Sequence, residues 1–232
     1  PAKGHPSQTV IAEPAIEDPG RRDHTDEELK AFLKPMPAKS IDEVIRSFET
    51  LPGFEMQLVA KEPLVHDPIA AAFDENGNLY VCEMRDYPYK PREGKPPIGT
   101  LRLLKDLDGD GTFDESHVFA DNLLWAGGVA PWKGGVFVAA PPNIWYMKDT
   151  DGDNRADLMR KMYTGFGTGN QQAMLNNLSW ALDLKIYGST AGNGGTVSYA
   201  DGVNEQQWPE PISVTGRDFR FDPVTNQFEA IT

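Results

Sequence analysis

Leu101-Arg102-Leu103-Leu104-Lys105-Asp106-Leu107-Asp108-Gly109-Asp110 is answered forty-three residues later by Ile144-Trp145-Tyr146-Met147-Lys148-Asp149-Thr150-Asp151-Gly152-Asp153. In both copies an apolar run of strand character feeds an acidic turn. A second element recurs around them as Leu79-Tyr80-Val81, Val136-Phe137-Val138 and Ile186-Tyr187-Gly188, at spacings of 57 and 50 residues. A four-stranded unit repeating every ~40–55 residues is the signature of β-propeller blades, sheets too small to bury their own faces that stack on their neighbours. The fold class read from this repeat is all-β, a β-propeller of which about three blades are present, over 67–121, 125–166 and 174–232. A solenoid-like stack or an open sandwich also accommodates the repeat.

Within the first unit the period is that of strands at Ile69–Asp74, Leu79–Met84, Thr100–Lys105 and Ser116–Ala120. Asn76-Gly77 between two apolar runs is a strong hairpin signal. Phe54–Ala60 is left over, and is expected as an outer strand that closes a ring by joining the last blade. Three blades do not close a ring, so the rest must come from a longer chain or a second copy, and the terminal faces are expected to be large apolar patches. The chain starts at Pro1 rather than Met, which reads as a processed or trimmed form. Its last residues read as an uncapped strand, so the natural chain is expected to run beyond Thr232.

Residues 1–50 read as an N-terminal arm, with 51–232 as the partial propeller. Residues 1–24 are rich in Pro, Gly and charge without apolar period. Thr25 with Glu28, and Ser40 with Glu43, are capping-box pairs that open two short helices. The first is expected to reach Leu33, and the second to carry Ile41, Val44, Ile45 and Phe48 on one face.

Composition removes several function classes. Against 22 Lys and Arg stand 35 Asp and Glu, a net charge of −13, the wrong sign for nucleic acid or an anionic membrane surface. No run of ~18 apolar residues offers a membrane span. Gly (22) and Pro (19) are abundant, as tight hairpins require. The single cysteine, Cys82, excludes an internal disulfide framework, a Cys-type zinc site and a C-x-x-C-H haem attachment, so no haem is expected in this segment. Cys82 itself reads as a small buried hydrophobe in a strand.

Eight of the 35 acidic residues fall in the two repeated turns. Asp106, Asp108, Asp110 and Asp114 occupy positions 1, 3, 5 and 9 of a loop with Gly111 at position 6. Asp149, Asp151, Asp153 and Asp157 repeat the spacing with Asn154 in place of the glycine. Oxygen donors so spaced suit a hard cation of calcium's size. The alternative is an Asp/Gly-rich turn held by its own side chains. Positions 12, His117 and Arg160, and the strand-like flanks differ from an EF-hand, which makes these calcium loops between strands of a blade. Lying on the outer half of each blade, they are expected to hold calcium in a structural role.

No nucleophile elbow, zinc helix, Walker loop or dinucleotide fingerprint occurs. Thr164-Gly165-Phe166-Gly167-Thr168-Gly169 is Gly-rich but precedes no helix, which makes it a poor phosphate cradle. Polar residues gather where loops enter blades: Glu83, Arg85, Asp86 and Tyr87 in the first, and Asn170, Gln171, Gln172, Asn176 and Asn177 before the third. In a propeller these loops ring one mouth of the central channel. His66 precedes the innermost strand of the first blade.

Further stretches complete a family resemblance. Leu51–Ala60 (LPGFEMQLVA), Glu62-Pro63, Asp67-Pro68, Leu79–Pro88 (LYVCEMRDYP), the paired Asp loops, Thr164–Gly167, Asn177–Trp180 and Gly216–Pro223 (GRDFRFDP) resemble the large predicted membrane-bound dehydrogenases of planctomycete-type bacteria. The propeller of that family is similar to the soluble quinoprotein glucose/sorbosone dehydrogenases. The resemblance covers roughly residues 50–232. It implies a six-bladed propeller in an exported, periplasmic or cell-surface protein, with a quinone cofactor such as PQQ and a sugar or small alcohol as substrate. Electrons would pass to a haem domain elsewhere in the full chain. The quinoprotein relatives place a catalytic His just before the strand matching Asn177–Leu182; here Gln171-Gln172-Ala173 stands there, and an amide is no proton acceptor. The candidate channel residues are therefore His66, Arg85, Asp86 and Gln172, with Arg85 suited to a cofactor carboxylate and His66 to a base's role. The rival reading is a non-catalytic propeller that binds carbohydrate or a protein partner, with Tyr87, Tyr89 and Trp208 to stack on sugar rings.

Overall fold

A computed structural model describes residues 25, 27–28, 37–200 and 210–231. The chain divides into two compact units, Pro1–Met56 and Gln57–Thr232. In the first, Thr25 and Glu28 exchange backbone-to-side-chain hydrogen bonds as a capping box does; the helix expected to follow as far as Leu33 lies otherwise outside the described residues. Ser40 and Glu43 form the second capping box and open helix α1 (Ile41–Arg46). Its expected apolar face buries nothing, since Ile41, Val44 and Phe48 stay exposed.

The second unit is built from antiparallel strands in three sheets. Sheet I is the meander β1 (Pro68–Phe73), β2 (Leu79–Glu83), β3 (Gly99–Lys105), β4 (Glu115–Leu123). Sheet II repeats it with β5 (Gly128–Trp132), β6 (Gly135–Ala140), β7 (Asn143–Lys148) and β8 (Leu158–Phe166). Next come β9 (Asn176–Trp180), β10 (Ile186–Ser189), β11 (Gly195–Tyr199), β12 (Ile212–Ser213), β13 (Asp218–Phe221) and β14 (Phe228–Ile231). Sheet III takes β9, β10, β13 and β14 of these. The first strands lie side by side, β1 against β5 and β5 against β9. Meanders stacked with their first strands innermost are the arrangement of a β-propeller. The three recurring apolar triplets are the second strands β2, β6 and β10, and the two decapeptides are β3 and β7 with the turns after them.

Strand alternation sorts the cores. Tyr80 and Cys82 of β2 meet Val129, Val136 and Val138 of sheet II, while Phe137, Ala139 and Ile144 on the opposite face of sheet II meet Leu178, Ile186, Phe219 and Phe221 of sheet III. Cys82 is fully buried, and burial pushes its thiol up to about 12, so it is packing rather than a nucleophile.

Three expectations are corrected. First, β11 and β12 are an insertion between β10 and β13; β11 pairs with β8 and β12 with β11, widening sheet II to six strands. The Gly-rich run serves this pairing: a Cβ on Gly165 would lie 2.1 Å from the Thr196 carbonyl oxygen, and Gly165 has φ +104°. Second, Phe54–Ala60 forms no strand: no ladder pairs it with a neighbour, although the Val59 carbonyl accepts from Phe113 N–H at 2.9 Å. Third, the end faces are not bare apolar patches. Ala60, Leu64 and Val65 pack over Leu79, Val81, Leu104 and Phe113 on the outer face of sheet I. Across the outer face of sheet III run Ser179, Tyr187, Arg220 and Glu229, in register. There Arg220 pairs with Asp183 (3.3 Å) and Glu229 (2.7 Å), and Lys185 with Glu229 (3.0 Å).

Candidate functional site

Because each sheet is a meander, its loops alternate between two ends. The segment entering β1, together with loops 84–98, 124–127, 167–175 and 190–194, gathers at one end, here the mouth. Both Asp loops, between β3 and β4 and between β7 and β8, lie at the other.

At the mouth a groove of about 450 Å³ follows the three innermost strands. Ile69 and Ala71 of β1, Gly127 and Gly128 at the start of β5, and Asn176 to Ser179 of β9 form its sides, with Met84, Gln171 and Gln172 completing the lining. Gly128 permits the close approach of the strands: a Cβ there would lie 2.7 Å from Leu178 N. The loop carrying Gln171 and Gln172 is clamped by the insertion. Asn170 N–H donates to Asn193 Oδ1 (2.8 Å), and the Asn193 amide donates back to the Asn170 carbonyl (2.6 Å). The groove offers four carboxamides and one hydroxyl, and no lining residue is Asp, Glu, His, Lys or Arg. Such a lining exchanges hydrogen bonds with a neutral polyhydroxylic ligand and has no group to take up a proton.

Two recesses continue from it. One of about 470 Å³ shares Ile69 and Met84 with the groove and adds Asp67, Pro68, Arg85 and Tyr87. The next, of about 680 Å³, shares Arg85 and Tyr87 with the first and adds Asp86, Tyr89, Lys90, Arg92 and Ile98. Of the four channel candidates, then, Gln172 lines the groove and Arg85 and Asp86 line the recesses. His66 lines none of these cavities. Its backbone N–H donates to Glu83 and its ring sits 3.7 Å from the Glu62 carboxylate. Trp208 lies outside the described residues. Glu83, grouped with the mouth in the sequence, is fully buried instead: Oε1 accepts from His66 N–H (2.7 Å), and Oε2 accepts from the Thr100 hydroxyl (2.5 Å) and Arg102 Nε (3.2 Å). A quinone bearing several carboxylates needs cations around it, and the groove lining has none, so these groove residues do not fit PQQ.

The two Asp loops share their backbone turn pattern. Asp106 accepts from Gly109 and Gly111 N–H, and Asp149 from Gly152 and Asn154 N–H. Gly111 (φ +88°) and Asn154 (φ +68°) both take the left-handed turn. Carboxylate oxygens of Asp106, Asp108 and Asp114, and of Asp149, Asp151 and Asp153, come within 4.8 Å of one another. An all-oxygen donor set of this kind fits calcium; Asp110 and Asp157 stand outside the two triads, Asp157 accepting from the N–H and hydroxyl of Thr150. The Gly111 N–H holds Asp106 below the usual carboxylate range, and the Thr150 hydroxyl does so for Asp157. At Asp149 slight burial acts upward, but the N–H groups of Gly152 and Asn154 outweigh it. The second loop also joins sheets: Ala156 N–H donates to Phe119 of β4 (2.8 Å), and Arg155 lies 3.7 Å from Asp121.

Among the described residues no helix is long and apolar enough to cross a membrane. No curated protein matches the chain. Among solved structures, the calcium structure of a Trichoderma reesei carbohydrate-active enzyme of family AA12 is similar at 16% identity and TM-score 0.42, covering 74% of this chain and 42% of that one. The iodide structure gives 16% and 0.41, covering 66% and 39%. The chain thus spans about two fifths of the length of these structures. Residues 40–232 match the family described as a domain of unknown function, DUF7133, and the chain belongs to that family.

Proposed function

We propose that this chain is the sugar- or alcohol-binding part of an exported, calcium-supported, six-bladed propeller of quinoprotein-dehydrogenase type, and that its own groove binds the ligand without reacting on it. The observation that carries this reading is the lining: Gln171, Gln172, Asn176, Asn177 and Ser179, with no titratable residue among the groove's own lining. Carboxamides both donate and accept, which matches the alternating hydroxyls of a sugar or polyol. In this reading the remaining blades and a haem domain belong to the full chain, and any proton acceptor comes from outside the groove. The family motifs quoted above support the dehydrogenase relationship, and the triads in the Asp loops support calcium, which would hold the turns far from the ligand.

The test is calorimetric titration with neutral mono- and disaccharides, on the wild type and on Gln172→Ala. Binding that weakens about tenfold in the variant, as the loss of one or two buried hydrogen bonds gives, supports the groove. Absence of binding to any sugar or polyol would overturn it. Addition of PQQ and calcium, followed by sugar-dependent dye reduction by this chain alone, would overturn the non-reacting part.

A further inference from the structure

The groove does not end in neutral groups. Its lining passes through Ile69 and Met84 to Arg85 and Tyr87, and from there into the recess that holds Lys90, Arg92 and Tyr89. The recess is built by the fifteen-residue excursion between β2 and β3, residues 84–98. Four of the chain's 22 Lys and Arg lie in those residues against two of its 35 Asp and Glu, in a chain whose net charge is −13. A cationic cavity on a strongly acidic protein is the reverse of what composition alone would place there.

The cations are also uncommitted. Arg85, Lys90 and Arg92 have no ion-pair partner among the described residues, so none of the described carboxylates neutralises them, unlike Arg102, Arg155, Lys185 and Arg220. In this they are like exposed cations such as Lys133 and Lys161, but those line no cavity described above. One carboxylate, Asp86, faces the three cations of this recess, its Oδ2 taking the Ile98 N–H (3.4 Å) and its Oδ1 buried without a hydrogen-bond partner. Asp67 lines the connecting recess, so cations outnumber carboxylates along the site by three to two. Lys90 stands 5.9 Å from the ring centroid of Trp125, a fully buried residue whose indole N–H is likewise unpartnered. Each is a buried polar atom whose missing hydrogen bond a bound group or water could supply. Tyr87 and Tyr89 bring two exposed aromatic rings beside the cations. Aromatic rings take the apolar face of a sugar ring, and guanidinium and ammonium groups take a carboxylate or sulfate.

We infer that the groove and the cationic recess form one extended site for an anionic saccharide, with the neutral ring against the carboxamides and its carboxylate or sulfate among Arg85, Lys90 and Arg92. This rests on the groove reading above and specifies its ligand.

The test compares three oligosaccharides of equal length, one neutral, one carrying uronic acid and one carrying sulfate, together with inorganic sulfate. Two exposed ion pairs give the acidic sugars about tenfold tighter binding at low salt, an advantage that shrinks at high salt. The Lys90→Gln/Arg92→Gln variant should bring acidic binding down to the neutral level, while Lys133→Gln, a surface cation elsewhere, should leave the ratio unchanged. The uronic and sulfated arms show which anion is preferred, and preference for either supports the site. Equal affinity for neutral and acidic sugars would overturn the inference and leave the groove reading standing. Inorganic sulfate binding as tightly as the sulfated sugar would overturn it too. Acidic binding that responds to Lys90 and Arg92 but not to Gln172→Ala, with no neutral binding, would sink the groove reading and keep the recess.

Discussion

Replacing Glu83 by Gln tests how the mouth is held. Glu83 is fully buried, and its two oxygens take three donors: His66 N–H at 2.7 Å, the Thr100 hydroxyl at 2.5 Å and Arg102 Nε at 3.2 Å. A carboxamide has one oxygen and one NH2. With its oxygen facing Thr100 and Arg102, the NH2 opposes the His66 N–H, donor against donor; in the opposite flip the Thr100 hydroxyl can turn to accept, but the NH2 opposes Arg102 Nε. A buried donor left unpaired costs about 1–3 kcal/mol, and removing one partner of a buried ion pair about 3–5 kcal/mol. The Arg102 side chain keeps 15% exposure and turns partly to water, so the expected loss is about 3 kcal/mol. Urea unfolding should show this at unchanged slope, with a fall in Tm of about 6–12 °C for a chain of this size. Glu62→Gln is the control: that side chain is 78% exposed, and its loss should stay within about 0.5 kcal/mol. A Glu83→Gln loss under about 1 kcal/mol would refute the assignment of Glu83 as the tie between β2, β3 and the segment that enters β1.

Three other outcomes follow from the geometry. Gly128→Ala places a Cβ 2.7 Å from Leu178 N and 2.9 Å from Asn177 N, both backbone, so β9 must move; a loss of about 1–3 kcal/mol in urea unfolding is expected, and an unchanged midpoint contradicts the close approach. Calcium should give measurable heat on titration and raise Tm, both abolished in Asp106→Ala/Asp149→Ala, and silence in the wild type removes calcium. The carboxyls of Asp106, Asp149 and Asp157 titrate below the unfolded value of about 3.9. Their stabilisation is therefore complete only above about pH 5, shrinks as pH falls through the unfolded value and disappears below the lower native values. Carboxyl-carbon NMR reads these midpoints, and values at or above 3.9 contradict the turn hydrogen bonds.

The repeat was legible because it is local. Each blade-like sheet is a meander whose apolar alternation and turn residues lie within one stretch of chain, so β2, β6 and β10 announce themselves by the same triplet. The β11–β12 insertion was not legible, since its partner β8 lies about thirty residues back and Ala191-Gly192-Asn193-Gly194-Gly195 reads as a turn. With it went the clamp of Asn193 on Asn170, which no local pattern announces. Gln172 was reachable because its loop precedes an innermost strand. His66 sits in the equivalent place of sheet I, but Glu83 captures its backbone, and its ring lies by Glu62. The polarity of the outer face of sheet III was written in Tyr187, Arg220 and Glu229. Reading it required the register that sets them across from one another.

That register also gives Phe54–Ala60 a better description than strand or linker. Phe113 is the seventh residue after Asp106, and Ala156 the seventh after Asp149. Each donates its N–H to a carbonyl outside its own loop, Phe113 to Val59 at 2.9 Å and Ala156 to Phe119 at 2.8 Å. Phe119 belongs to β4, the outer strand of the sheet before sheet II. Val59 therefore stands to sheet I as an outer strand of a preceding sheet would stand, and Ala60, Leu64 and Val65 cover the face of sheet I as sheet I covers sheet II. The Asp loop is then more than a turn with oxygen ligands. It is the repeated fastening by which sheet I grips the Val59 segment and sheet II grips sheet I, and fixing its carboxylates with a cation would stiffen these joints at the end opposite the groove.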